Sequence, residues 1–240
     1  MSINKTNLVF NLLICLVMLI SCSEEKTDSI TEDSIEDSAP LGLIGDTYRN
    51  RRYLFKVSKL PLDGWTIFTS DTLSGKEFIT TFYGKKEENE HWSSHILVAL
   101  PTTLDAISNI EDKTLENVVG LTHVYLLIDI EILSKAETDF VRSAQDLAQE
   151  YKVQKAASGL PMTSESEVKS ADGYMGYVIY GDFDEAEVTV EYGYAFFTRP
   201  SGRTQRIYRL AYFEVYDVGG TGKIRSIFNQ IVSSIEFNTL

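Results

Sequence analysis

The chain has 240 residues, 43% of them hydrophobic and 11% aromatic, with two cysteines and a formal net charge of −13. That length can bury a sizeable core without staples. No cysteine follows Cys22, which excludes a disulfide framework, Cys-ligated zinc and thiol catalysis in the folded part. So acidic a surface repels nucleic acid phosphate and anionic lipid head groups, and its plainest use is solubility.

The first elements are an address. Lys5 is followed by the apolar run Leu8 to Ile20, 13 residues with Asn11 as the one polar member. This is too short for the roughly 20 residues of a spanning helix and fits the apolar region of an export signal. The run closes on Leu19-Ile20-Ser21-Cys22, which resembles the lipobox of bacterial lipoproteins. The resemblance implies cleavage after Ser21, acylation of Cys22 and anchoring through two or more chains. Cys15 sits inside the apolar run with no such box around it.

Residues 23–40 hold seven acids and one lysine among many Ser and Thr, a composition that cannot bury enough apolar surface to fold. Residues 22–50 are therefore expected to form a lipidated cysteine and an acidic tether. Acids directly after the lipidated Cys also resemble the export signal of surface lipoproteins in some Gram-negative groups. The implied location is the cell envelope, at the outer membrane, facing either the periplasm or the exterior.

Folding is expected over residues 51–240 as a single domain. Tyr53, Phe55 and Val57 alternate as strand residues do, and Pro61-Leu62-Asp63-Gly64 marks a turn. Trp65–Phe68 and Phe78–Tyr83 read as short strands, and His95–Leu100 as a buried strand stopped by Pro101. Residues 102–121 have weak helical spacing. In Val124–Ile132, Ile128, Ile130 and Ile132 alternate with Asp129 and Glu131, as on a half-buried strand. Ser134-Lys135-Ala136-Glu137 has capping-box spacing and predicts a helix to about Lys155, with Phe140, Ala144, Leu147, Ala148 and Tyr151 on one face.

The last third is β-rich. Asp172-Gly173 and Arg199-Pro200-Ser201-Gly202 each divide two strand-like runs, implying hairpins. Gly219–Gly222 is a break, and Ile224, Ile227, Phe228, Ile231 and Ile235 predict a closing amphipathic helix. Hairpins and interspersed helices describe an α+β fold, an antiparallel sheet flanked by helices. The order of elements resembles the PsbP-like family over residues 50–238. The resemblance rests on Tyr53–Val57, the turn into Gly64-Trp65, the helix at 136–155, the Asp172-Gly173 hairpin, the long strands through Phe213 and the Phe228–Phe237 ending. That family has no shared active site, so the resemblance implies a fold and no catalytic residues.

Candidate chemistry is sparse. Gly219-Gly220-Thr221-Gly222-Lys223 fails the phosphate-loop pattern at Asp217 and at Ile224. His91 and His95, beside Glu87, Glu88 and Glu90, have suitable ligand types, but on a strand the two lie about 13 Å apart at ~3.3 Å per residue. Neither a metal nor a cofactor is expected. No Gly-x-Ser-x-Gly is present, and His123 borders a strand. Tyr174, Tyr177 and Tyr180, then Tyr192, Tyr194 and Phe196, then Tyr208 and Tyr212 form strand ladders. Buried, they are sheet core; exposed, they would grip a sugar or a protein. Gly193 and Ala195 leave room for a helix on the opposite face. The expectation is a non-enzymatic lipoprotein, held to the membrane through Cys22, that binds a protein or assists assembly. A carbohydrate-binding or glycan-hydrolysing protein, using the rings or a carboxylate pair, is the alternative.

Overall fold

The structure, a computed structural model, describes residues 42–83, 94–134, 142–201, 204–220 and 222–237. The export signal, Cys22, the acidic segment to residue 41, His91 with Glu87, Glu88 and Glu90, and the 135–141 stretch lie outside these residues.

Ten strands and five helices are described. A three-stranded sheet comprises β1 (Gly42–Ile44), β2 (Thr47–Asn50) and β3 (Phe55–Val57) in that order. A seven-stranded sheet comprises β4 (Thr66–Thr69), β5 (Ser94–Leu100), β6 (Val124–Ser134), β7 (Ser164–Lys169), β8 (Met175–Glu185), β9 (Val188–Ser201) and β10 (Thr204–Asp217). Its order is β4-β5-β6-β10-β9-β8-β7, with every pairing antiparallel. Helices α1 (Leu73–Tyr83), α2 (Leu104–Ser108), α3 (Leu115–Thr122) and α4 (Ala144–Ala157) pack on one face of the large sheet, and α5 (Ile224–Ser234) with the small sheet covers the other. The α+β class with helices flanking an antiparallel sheet is what the structure has.

Both faces of the large sheet are thus interior. β10 is buried at ten successive residues, Gln205 through Glu214. A strand covered on two sides has no solvated face on which to place polar residues. This corrects the half-buried reading of β6: Asp129 is 0% and Glu131 8% exposed.

Four other expectations change. Phe78–Tyr83 belongs to helix α1, not a strand. Gly75, Phe78, Ile79 and Phe82 are buried at helical spacing, while Thr80 and Thr81 face outward and donate to the carbonyls of Lys76 (2.8 Å) and Glu77 (3.1 Å), one turn back. A Cβ on Gly75 would collide with the Thr69 carbonyl, so glycine lets α1 start tight against β4. The weakly helical 102–121 region resolves into α2 and α3, capped by Thr103 and Thr114. Ser134 lies in β6, and the capping box is formed instead by Ser143 and Asp146, each accepting from the other's backbone amide, so α4 begins at 144. The space beside Gly193 is filled by the rings of Tyr212 (2.5 Å from where a Cβ would stand) and Tyr180 (2.9 Å), not by a helix.

A further correction concerns the boundary at residue 50. β1 and β2 occupy 42–50 and are part of the fold, because Tyr48 is fully buried in the core shared by Phe55, Val57, Tyr208 and α5. The small sheet is fastened to the chain end by reciprocal amide–carbonyl bonds of Lys56 and Glu236, 2.8 Å each. Tyr208 Oη donates to the Tyr53 carbonyl at 2.6 Å. Tyr48→Ala is expected to cost about 3–5 kcal/mol in urea denaturation, the range for deleting a buried ring. A chain beginning at residue 51 should lose its cooperative transition where one beginning at residue 42 keeps it.

Candidate functional site

The densest polar cluster among the described residues lies under α1 and α4. It is built by register. His95 on β5 and Arg209 on β10 each stand directly opposite Asp129 on the intervening β6, so three side chains form one row across the sheet. Asp129 Oδ2 accepts from Arg209 Nε at 3.0 Å and Nη2 at 2.5 Å. Asp129 Oδ1 receives His95 Nδ1 at 2.8 Å and the Tyr83 hydroxyl at 3.0 Å. Arg209 Nη1 donates to Tyr151 Oη on α4 at 2.8 Å. The rings of Tyr83 and His95 stack at 3.6 Å. Lys155, 4% exposed, places its ammonium 5.0 Å from the Tyr151 ring centroid and 5.4 Å from that of Tyr194.

The electrostatics follow from the geometry. Burial opposes the Asp129 charge, yet Arg209 and then His95 outweigh it and hold the carboxyl at about 2. His95 Nδ1 is accordingly the donor to an ionised carboxylate. Burial also opposes the Tyr151 phenolate, but Arg209 and Lys155 draw that phenol below its ordinary range. Glu131 differs. It stands two residues along β6 on the same face, and burial pushes it up to about 7, with Arg142 and Arg209 only partly compensating. An Asp–His–Tyr set with a tuned acid nearby has the parts of acid–base chemistry. Here the Asp129 oxygens are committed to three side chains of the protein itself.

A second cluster sits on the opposite face. Glu191 on β9 and Glu214 on β10 are direct cross-strand neighbours, each 7% exposed. Glu191 accepts from Tyr212 Oη at 2.9 Å and is 3.4 Å from Arg225. Glu214 accepts from the backbone amides of Lys223 (3.0 Å) and Ile224 (3.1 Å). A strand carboxylate thus satisfies the start of α5, where Lys223 supplies no side-chain cap. Arg225 also lies 3.9 Å over the Tyr180 ring. Beside this cluster is a shallow, open groove lined by Gly222, Arg225, Ser226, Asn229, Gln230 and Ser233.

Of the residues singled out in the sequence, His95 joins the Asp129 row and His123 caps α3 in a left-handed conformation, φ 55°. The glycine-rich break is the turn into α5. Tyr177, Tyr180, Tyr192, Tyr194, Phe196, Tyr208 and Tyr212 are 0–8% exposed and make up the two cores. Asp129, Glu131, Lys155 and Arg209 were not legible as a cluster. The signal that could have found them is the recurrence of charge inside runs otherwise apolar, at 129 and 131 and at 206 and 209. No group of three or more His, Cys, Asp or Glu able to hold a metal is found among the described residues, and no helix among them is long and apolar enough to cross a membrane.

No family model matches the chain, and no curated protein matches it. Among solved structures it is similar to LpqN, described as involved in cell envelope biogenesis of Mycobacterium tuberculosis. The two share 8% identity over 75% of this chain and 82% of that chain, with a TM-score of 0.45. A likeness of that degree transfers neither family nor role.

Removing one partner of a buried ion pair strands the other. Arg209→Met is therefore expected to destabilise by about 3–5 kcal/mol, and Asp129→Leu with Arg209→Met by less than the sum of the single changes. Glu131 gives a pH signature. Its folded value lies above the unfolded one, so its contribution is complete at acid pH and is lost as pH rises from about 4.5 through about 7. Glu131→Gln should flatten the stability profile across that window and exceed the wild type by about 3 kcal/mol at pH 8.

Proposed function

We propose that this protein is an envelope lipoprotein, anchored through acyl chains on Cys22, whose α+β domain is a non-catalytic accessory that binds a protein partner. The lipobox-like Leu19-Ile20-Ser21-Cys22 and the acidic run behind it carry the anchor. The layered antiparallel sheet is in keeping with a PsbP-like domain.

The single observation that favours protein binding over glycan binding is the burial of the aromatic ladders. Tyr192, Tyr208 and Tyr212 are 0–1% exposed, so these rings are spent on packing and offer no stacking platform to a sugar. The facing carboxylates of Glu191 and Glu214 are engaged by Tyr212, Arg225 and the α5 amides, which weakens their case as a hydrolytic pair. The groove along α5 is then the natural contact surface. It is open, lined by donors and acceptors, and held in place by a buried helix face of Ile224, Phe228, Ile231 and Val232.

Two measurements test this. Cys22→Ala should abolish acylation and leave the signal uncleaved, read by intact mass; an unchanged mass with retained membrane association contradicts the anchor. A photo-crosslinking residue at Gln230 should capture discrete protein adducts in cells, and one at Val153, 71% exposed on α4, should not. Capture of glycan at Gln230 contradicts the reading.

A further inference from the structure

Charge on this protein is not spread evenly. Residues 42–62 carry Arg49, Arg51, Arg52, Lys56 and Lys59 against a single acid, Asp46, within a chain of net charge −13. The structure sets Arg49 and Lys56 on the outer face of the small sheet, with Arg51 and Arg52 at one end of that face and Lys59 at the other. Arg49 on β2 stands directly opposite Lys56 on β3. Like charges opposed across antiparallel strands cost stability, and Glu236 offsets this one, 2.8 Å from Lys56. Arg51 and Arg52 are exposed in the β2–β3 turn, and Lys59 is exposed just beyond β3.

Apolar side chains lie among these cations. Ile44 is 52% exposed and Leu62 46%. Register places Ile44 beside Thr47, and Thr47 Oγ1 bonds Ser58 Oγ at 3.2 Å. Ile44 therefore shares the outer sheet face with Arg49 and Lys56. The Leu60 amide donates to the Asp46 carbonyl at 3.0 Å, which brings Lys59 and Leu62 alongside the β1–β2 turn. Exposed aliphatics ringed by Arg and Lys are the composition of a surface that rests at a lipid interface.

We propose that this outer face of the small sheet is a docking surface for an anionic phospholipid membrane. The inference rests on the anchor assigned above. Gly42 follows Cys22 by twenty residues, and β1 is the first described element after it. The small sheet is thus the part of the domain held nearest to the bilayer. The acidic segment 23–40 also complements the cations, but its Ser, Thr and acids offer nothing to Ile44 and Leu62, whereas an interface accepts both. The net acidity of the chain, which argues against anionic lipid, belongs to the other surfaces. Attraction at one face and repulsion elsewhere would orient the domain rather than merely hold it.

The test uses the mature, acylated protein with a spin label on Ile44→Cys, in vesicles of phosphatidylcholine with phosphatidylglycerol and of phosphatidylcholine alone. Val218→Cys is the control. Val218 is 48% exposed beyond the end of β10, ten residues and so roughly 33 Å along the strand from Tyr208, which touches the small sheet. The expected result is that the label at 44 meets dissolved oxygen rather than a water-soluble nickel chelate, in the anionic vesicles only, and that high salt reverses it. Arg51→Gln, Arg52→Gln and Lys59→Gln together, all exposed positions, should lower the ratio of immersed to water-facing label on the order of a hundredfold, at about fivefold per basic residue. A label at 44 as water-exposed as the label at 218 in anionic vesicles overturns the proposal, whether a protein or the acidic segment covers the patch. Intact mass separates the two readings. If Cys22 carries no lipid the anchor fails, and sedimentation of the unanchored chain with anionic but not neutral vesicles would still support the patch, while absence of binding to both would overturn it.

Discussion

The carboxylate of Asp129 is fully buried, and the fold is arranged so that it can stay charged. The seven-stranded sheet has α1 to α4 on one face and α5 with the small sheet on the other. No strand in its middle has a wet side. An ion there is tolerable only where neighbouring strands supply its counter-charge in register. β5 and β10 do so, with His95 and Arg209 directly opposite, and α1 and α4 complete the shell through Tyr83 and Tyr151. Replacing such a pair by apolar residues is often neutral or better for stability. What the pair adds here is specificity, since a one-residue slip of β6 against β10 would send Asp129 to the opposite face, away from Arg209 and His95.

This two-sided burial also governs where function can lie. Rings that alternate along β8, β9 and β10 go to one core or the other, and none of the ladders forms an exposed platform. The polar groups that pierce the cores bond to one another. Recognition is left to the outer surfaces: the groove along α5, and the basic, partly apolar outer face of the small sheet. These two surfaces lie near each other in the fold, because the segment after α5 pairs with β3 through Lys56 and Glu236. A partner bound on α5 would thus be held close to that face.

Much of this was legible in the sequence, and the misses share a cause. The hairpin at Asp172-Gly173, the strands through Phe213 and the closing helix all carry local signals that tertiary packing did not override. Phe78–Tyr83 misled because Thr80 and Thr81 are β-branched, and a propensity read over six residues cannot see that Gly75 and Phe82 lie on the same helical stripe. Ser134-x-x-Glu137 misled because a capping-box spacing is common, while the box actually used has Asp146 where Glu or Gln is usual. Asp129 and Glu131 read as a solvated face because alternation implies one wet side, and alternation alone does not show how many layers a sheet has. The N-terminal strands were missed because β1 and β2 are three and four residues long, below the length at which a period-two pattern can be read. That miss hid the basic patch, which straddles the expected boundary at residue 50.

The central claim is that Asp129 is a buried, permanently ionised carboxylate gripped between two strands. It is tested most directly by following the side-chain carboxyl carbon of Asp129 by NMR through an acid titration of the folded protein. The account predicts a resonance that stays at its ionised position down to about pH 3, in line with a carboxyl held at about 2, while Glu131 titrates near pH 7. A titration of Asp129 at pH 4 or above would contradict it, because the carboxylate would then lack the grip of Arg209 and His95 on which the packing of the sheet depends.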